Sequence, residues 1–432
     1  MTRNVALFAG LAVLFILTGQ FQSWNLSLSI LNMGLLSAVM AMGVNMQWGY
    51  AGLFNTGIMG FSALGGVAVV LVSAKAVPAG WAAGGPGIVL ALAVGAAAIG
   101  LAIVLHLRMA PGRTRSLAML AVLIGGFFLY RALFDPAALA VESNSPENAG
   151  NIGGLGLPSL LAWPVGGALA ALAAWAIGKI ALGLRSDYLA IATLGIAEII
   201  VAVLRNEDWI ARGVKNLTGL PRPFPVPYEV DLQQAPAFLS WAAGWGMDPV
   251  TASSIVVKLI YAALFASVLG VVIWLSERAL NSPWGRMMRA IRDNEVSAAA
   301  MGKNVTRRHL QIFILGSAVV GLAGAMMTSM EGQLTPGTYN PLRFTFLIWV
   351  MVIVGGSGNN WGSILGALLI GWLWLIVETV GPGIMGAVTA GMADGPLKAH
   401  LVDSAQHMRL LTLGVILLLV LRFSPRGLIP EK

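Results

Sequence analysis

From Asn4 to Ala74 the chain carries no Asp, Glu, Lys or Arg. A helix crosses the hydrocarbon core of a bilayer in about 20 residues, so this run has room for about three crossings and is no surface for a soluble domain. The remainder keeps the same character. Of 432 residues, 57% are hydrophobic and 10% charged, with a mean hydropathy of +0.81, against about 25% charged in an ordinary soluble protein. No globular core could hide so much apolar side chain and leave a wetted exterior. The apolar segments are continuous rather than alternating, which excludes a transmembrane barrel. The 53 Gly and 20 Pro indicate helices that approach closely, break or kink. The predicted fold class is all-α, a polytopic transmembrane helical bundle.

Apolar runs of spanning length recur roughly ten to twelve times, some of them broken. Residues 5–19 and 28–46 read as the first two spans. The charged-then-apolar start has the form of a signal peptide, but TGQFQSWN lacks a small-x-small cleavage site, so an uncleaved first span is expected. Residues 49–73 read as a third span interrupted near its start, where Gly49, Gly52, Gly57 and Gly60 surround Asn55 and Thr56. Irregular backbone at membrane depth survives only where protein buries it or it lines a cavity. Asn55 and Thr56 are therefore candidates for a translocation path, with close packing at small residues as the alternative.

Residues 87–107, 116–134, 160–182 and 187–204 continue the series. Arg108, Arg113, Arg115, Lys179 and Arg185 mark the inner side, and Asp135, Glu142 and Glu147 the outer. The Pro-rich segment 206–254 (Pro221, Pro223, Pro225, Pro227, Pro236) suits the outer face. Residues 255–275 return inward and 310–330 go out, the latter with Gly321 and Gly324 at close-packing spacing. Residues 344–377 are uncharged and too long for one span; GGSGNNWG divides them, with Gly355, Gly356 and Gly358 in the turn and Gly362 and Gly366 opening the next helix. Residues 410–421 form the last run, and Arg422, Arg426 and Lys432 put the C-terminus, like the N-terminus, in the cytoplasm. The expected organisation is a single transmembrane domain over 1–432, with N-terminal spans to 134, central spans 135–254, and C-terminal spans 255–432 that include a cytoplasmic loop at 277–309.

That loop contains the polar island NSPWGRMMRAIRDNEVSAAAMGKNVTRRHL, residues 281–310. Ser282 and Pro283 start a helix, Trp284, Met287, Met288, Ile291 and Ala298 give it one apolar face, and Gly302 stops it. Arg286, Arg289 and Arg292 crowd its beginning, where the macrodipole disfavours cations. Helix stability does not explain them, and docking onto a cytoplasmic partner does. The net charge of +8 reflects positive-inside topology rather than nucleic-acid binding, since the bases lack interleaved aromatic platforms.

Enzymatic machinery is missing from the sequence. There is no G-x-x-x-x-G-K-[ST] phosphate loop, no G-x-S-x-G elbow, no H-E-x-x-H pair and no Cys. His106, His309, His400 and His407 offer no third ligand for a metal, so neither metal nor cofactor is expected. Glu198, in TLGIAEII, is an intramembrane acid and a path candidate. A bundle-specifying pair with Asn45, itself a path candidate, is the other reading.

Five blocks together resemble the permease subunits of branched-chain amino acid (LIV) type ABC importers, specifically the LivM-like member of the pair. They are VNMQWGYAGLFNTGIMGFSALGG, RSDYLAIATLGIAEII, SPWGRMMRAIRDNEVSAAAMGKNVTRRHLQIFILGSAVVGLAGAM, IVGGSGNNWGSILGALL and RFSPRGLIP. The resemblance covers 28–430 in outline; 78–151 and the Pro-rich segment match poorly. Ile58 departs from the polar residue common at its position, and Val296 and Ser297 replace the first residues of the importer EAA loop. The resemblance implies a second, LivH-like permease, two ATP-binding-cassette ATPases that hydrolyse ATP, a periplasmic solute-binding protein, and surrounding lipid of the bacterial inner membrane. It makes the helix around Arg289 to Gly302 a coupling helix seated on an ATPase. Met288, Ile291 and Ala298 would supply burial there, Arg289, Arg292 and Asp293 register, with Arg286 and Gly302 at the margins; attraction to anionic lipid is the alternative for the bases. The implied cargo is a branched-chain or other neutral amino acid, with urea or a short amide as an alternative. An ion-coupled secondary transporter built on Glu198 is the rival outside this class.

Overall fold

The computed structural model describes residues 2–144, 150–392 and 395–431; Glu147 and Lys432, used above for topology, lie outside them. The helices are α1 (Thr2–Phe21), α2 (Trp24–Ala51), α3 (Ile58–Ser73), α4 (Pro78–Arg108), α5 (Arg113–Ser143), α6 (Ser159–Ala181) and α7 (Ser186–Asn206). Short helices α8 (Asp208–Ala211), α9 (Glu229–Gln234) and α10 (Pro236–Gly244) follow in the Pro-rich segment. Then come α11 (Pro249–Asn281), α12 (Pro283–Asp293), α13 (Glu295–Ala300), α14 (Val305–Glu331), α15 (Leu347–Gly355), α16 (Asn360–Thr389), α17 (Pro396–Asp403) and α18 (Met408–Phe423). Strands β1 (Leu217–Thr218) and β2 (Gln333–Leu334) pair antiparallel, with Leu217 opposite Leu334.

Among the described residues nine helices are long and apolar enough to cross a membrane, ten if the bent pair α17 and α18 counts as one. The apolar but shorter α3 and the segment Leu342–Gly355 supply the broken crossings. The chain is an all-α, multi-pass membrane protein.

The core is built on α2 and α14. The most apolar stretch of α2 is 83% buried and that of α14 61%, against 17% for α4 and 6% for α5. Helix α14 packs on α2, α3 and α6, and α2 packs on α11 and α16. Close approach depends on small residues: a Cβ on Gly324 would run into the Ser62 carbonyl of α3. Helices α4 and α5 pack mainly on each other. The Trp209 ring, edge-on to Phe134 at 5.6 Å, and a hydrogen bond from Val77 N to Ile152 O help attach them to the bundle.

Two boundaries differ from expectation. The third span was expected to begin at Gly49, but α2 runs on to Ala51 and the break occupies residues 52–57. Gly52, not Gly49, takes the left-handed conformation (φ 68°), and Gly52 N and Leu53 N close the helix on Trp48 O and Gln47 O. The single helix expected from Ser282 to Gly302 is two. Asn294 leaves helical geometry at φ −157°, and its side chain accepts from Ser297 N to cap α13. Gly302, at φ 76°, follows that second helix.

Candidate functional site

One end of the bundle gathers the beginning of α1, the end of α2, the α11–α12–α13 turn, the turn before α16 and the tail after α18. Ser282 caps α12 by accepting from Trp284 N at 3.2 Å, and the helix lies against α2 and α11. Its apolar stripe is turned into the chain itself. Met288 (0% exposed) belongs to the main core, while Ile291 (1%) packs with Ala298, Val305 and Met287. This corrects the expectation that Met288, Ile291 and Ala298 would be buried by an ATPase, because the end of the bundle already covers them. The outward side carries Arg286, Asp293 and Lys303, with Val296 (79% exposed) and Met301 (80%) on and after α13.

Ending α12 at Asp293 also moves Arg292 from the beginning of a long helix to the last turn of a short one. A cation is favoured there. Its Nη1 donates to the Gly49 carbonyl near the end of α2 and to Glu431 Oε2 at 2.8 Å, while Nη2 reaches Asp293 Oδ1 at 3.1 Å. Burial works against the charge, but the bond to Glu431 and the charges of Glu431 and Asp293 more than offset it and raise Arg292 above its ordinary value. Beside it Asn45, fully buried, accepts from Gly358 N at 2.8 Å and donates to Asn360 Oδ1 at 3.2 Å. Gly358 has φ 80°, which an L side chain rarely adopts. The tail threads the same knot: Leu428 N donates to Val354 O, Ile429 N to Gly355 O, and Asn359 Nδ2 to Pro430 O. Asn45 is therefore a clamp on the α16 turn.

The broken segment lies deeper. Asn55 Nδ2 donates to Gln47 Oε1 at 2.8 Å, and Gln47 Nε2 donates to Phe313 O and Ser317 Oγ at 3.0 Å. Thr56 N donates to Thr193 Oγ1 of α7 (3.1 Å), and Thr345 Oγ1 donates to Thr56 O (3.1 Å) from the π-helical turn Leu342–Phe346. Trp349 Nε1 donates to Asn55 O, and its ring meets those of Trp48 and Phe54. The freed backbone groups thus find partners inside the bundle, as irregular structure in a membrane requires. Asn55 is fully buried and Thr56 half-buried, so Thr56, with Trp48 and Phe54, is the accessible part. Gln47, Thr193 and Thr345 were missed from sequence. Gln47 was findable, since between Ser37 and Asn55 only it and Asn45 carry a side-chain amide.

Glu198 does not meet Asn45. It projects from the exposed side of α7 beside Ile199, and it makes no hydrogen bond or ion pair among the described residues. The opposite side of α7, with Thr193 and Ala197, packs on α3, where Gly57 and Gly60 admit it. Asn45 belongs to α2 and is bonded toward α16. Among the described residues no three His, Asp or Glu are grouped to hold a metal ion.

A multi-pass bundle with a broken helix pinned at depth, and an amphipathic helix lying across one end, has the layout of a membrane permease. Residues 137–421 match the family described as branched-chain amino acid transport system / permease component, and the chain belongs to that family. It is 28% identical over 282 residues to the high-affinity branched-chain amino acid transport system permease protein LivM of Escherichia coli K12, covering 64% of this chain and 58% of that protein. The probable branched-chain amino acid transport permease LivM of Methanocaldococcus jannaschii is 25% identical over 399 residues, 91% of this chain and 90% of that one. A ribose import permease of Bacillus subtilis, RbsC, is 32% identical over 96 residues, 21% of this chain and 30% of its own length. No solved structure matches the chain. The family match leaves out α1 to α4 and most of α5.

Proposed function

We propose that this chain is the membrane-spanning permease subunit of an ATP-binding-cassette importer in the bacterial inner membrane, moving a branched-chain or other neutral amino acid. In this reading a periplasmic binding protein delivers the solute, a second homologous permease completes the path, and two cytoplasmic ATPases supply the energy. Family membership and the kinship with the two LivM proteins support the solute class.

The observation that carries the coupling role is the Arg292 bridge. Helix α13 and Met301 project outward, while Arg292 ties α12 to Gly49, close to the broken segment that holds Asn55 and Thr56. ATPase closure would push on Val296, Met301 and their charged neighbours. Because α12 is packed and bonded to the end of α2, the push reaches the break and rocks the bundle between inward- and outward-open states. The corrected docking surface is thus the rim of Arg286, Asp293, Val296, Met301 and Gly302, with Arg289 and Arg292 as its roots. A carboxylate at membrane depth rarely faces lipid, so the exposed side of α7 with Glu198 belongs against the second permease, where it and Thr56 border the path. Both termini are cytoplasmic in this arrangement.

The test is reconstituted uptake of radiolabelled leucine by the purified complex, with urea and acetamide as competitors. Uptake that requires ATP and the binding protein, and resists both competitors, is the expected result. Uptake that persists without ATP and follows a proton or sodium gradient would overturn the reading.

A further inference from the structure

Beside the Arg292 bridge lies a cleft of about 330 Å³, lined by Tyr50, Glu277, Asn281, Arg289, Asn359 and Glu431 among others. That is at the small end of the ~300–1,000 Å³ typical of small-molecule pockets. Its walls are polar and carry both signs of charge. Glu431 is neutralised by Arg292. Among the described residues Glu277 and Arg289 have no ion-pair partner, and both are half-buried and line the cleft. Each is instead held by a neutral group. Glu277 Oε1 accepts from Asn360 Nδ2 at 2.9 Å, and Asn360 is itself fixed by Asn45 and Tyr50, so the carboxylate is oriented by a buried amide chain. Arg289 Nη2 donates to Leu280 O at 3.3 Å.

We infer that this cleft is a binding site for a zwitterionic α-amino acid, its carboxylate on Arg289 and its ammonium on Glu277. The inference rests on the proposed import function only in taking an amino acid as the solute and this end as cytoplasmic. Other ligand chemistries fit worse. An inorganic anion on Arg289 would face the Glu277 and Glu431 carboxylates, and a metal cation on Glu277 would face the guanidinium. A molecule with one charge of each sign satisfies both ends with charge-assisted hydrogen bonds. The Asn281 amide stands ready for the remaining polar atoms, and the Tyr50 oxygen, whose proton goes to Asn360, can still accept. Occupancy would join α11 through Glu277 to α12 through Arg289 at the end of the bundle that has to move. The imported solute, accumulating in the cytoplasm, would thereby hold the coupling helix and restrain its own entry.

The experiment measures equilibrium binding of tritiated leucine to the purified complex, with no ATP and no binding protein. Leucine should compete, whereas leucinamide, which lacks the carboxylate, and 4-methylpentanoate, which lacks the ammonium, should not. Glu277→Gln should weaken binding about tenfold to a hundredfold, as loss of one hydrogen bond to a charged group does. Thr379→Val, exposed on α16 and outside the cleft lining, should leave it unchanged. Equal competition by all compounds, or loss of binding in Thr379→Val but not in Glu277→Gln, would overturn the site. Release of the ATPases by Glu277→Gln would also overturn it, assigning the cleft to a protein partner. Zwitterion-selective binding in a complex that imports nothing would keep the site and sink the import reading; import without such binding would do the reverse.

Discussion

Replacing Arg292 by Ala should disconnect ATP hydrolysis from transport, and the size of the effect follows from what the guanidinium touches. Its bond to the Gly49 carbonyl is a charge-assisted one, worth about 1.5–3 kcal/mol. The ion pair with Glu431 is partly solvated, with side chains 24% and 30% exposed, and adds about 0.5–1 kcal/mol. Together they hold α12 to the end of α2 by about 2–4 kcal/mol. At about 1.4 kcal/mol per factor of ten, the equilibrium between attached and detached α12 shifts roughly 30- to 1,000-fold. Glu431→Gln keeps an acceptor and loses only the ion pair, a shift of about twofold to fivefold. The assay is leucine delivered per ATP hydrolysed in proteoliposomes, with the thermal melting of each variant measured alongside. Arg292→Ala should hydrolyse ATP yet deliver at least about tenfold less leucine per ATP, and Glu431→Gln should remain close to wild type. A wild-type ratio in a properly folded Arg292→Ala complex would refute the bridge as the mechanical link. Equal damage from Glu431→Gln would refute the ranking of the two contacts.

The chain has no cysteine, so single cysteines report cleanly: Val296→Cys and Met301→Cys should react with a membrane-impermeant maleimide from the cytoplasmic side and be shielded by bound ATPases, whereas Met288→Cys, on the buried face of α12, should not react. Gly324→Ala forces a Cβ into the Ser62 carbonyl and should destabilise the bundle by about 1–3 kcal/mol, read as a lower melting temperature in detergent. Gln47→Leu strips partners from Asn55 and Ser317 and should cost about 1–3 kcal/mol, with uptake falling further than stability if the broken segment moves in transport. Glu198→Gln should slow leucine uptake while leaving leucine per ATP unchanged; uptake lost with hydrolysis intact would instead favour ion coupling.

The spans were legible because crossing a bilayer needs long apolar runs, and α1, α2, α4, α5, α7, α11 and α14 contain the runs read from sequence, with α6 ending one residue short of its own. The break after α2 was legible as a glycine cluster, but not its edge, since Gly49 and Gly52 look alike until one takes positive φ. The pairs that give Asn45 and Gln47 their roles span separations of 315 and 266 residues, and no local pattern carries such information. The amphipathic α12 shows the limit differently. Periodicity says that one side is apolar, not which body covers it, and Met288 proved to be covered from within. Glu198 could have been oriented by the same geometry. At about 100° per residue, Thr193 and Ala197 stand on nearly one side of α7, and Glu198, one step further, has to leave it. With α3 covering the first side, the carboxylate points out of this chain. Intramembrane acids almost always face a bundle interior or a water-filled cavity, so the orientation of this one side chain fits the proposal that a second subunit covers it.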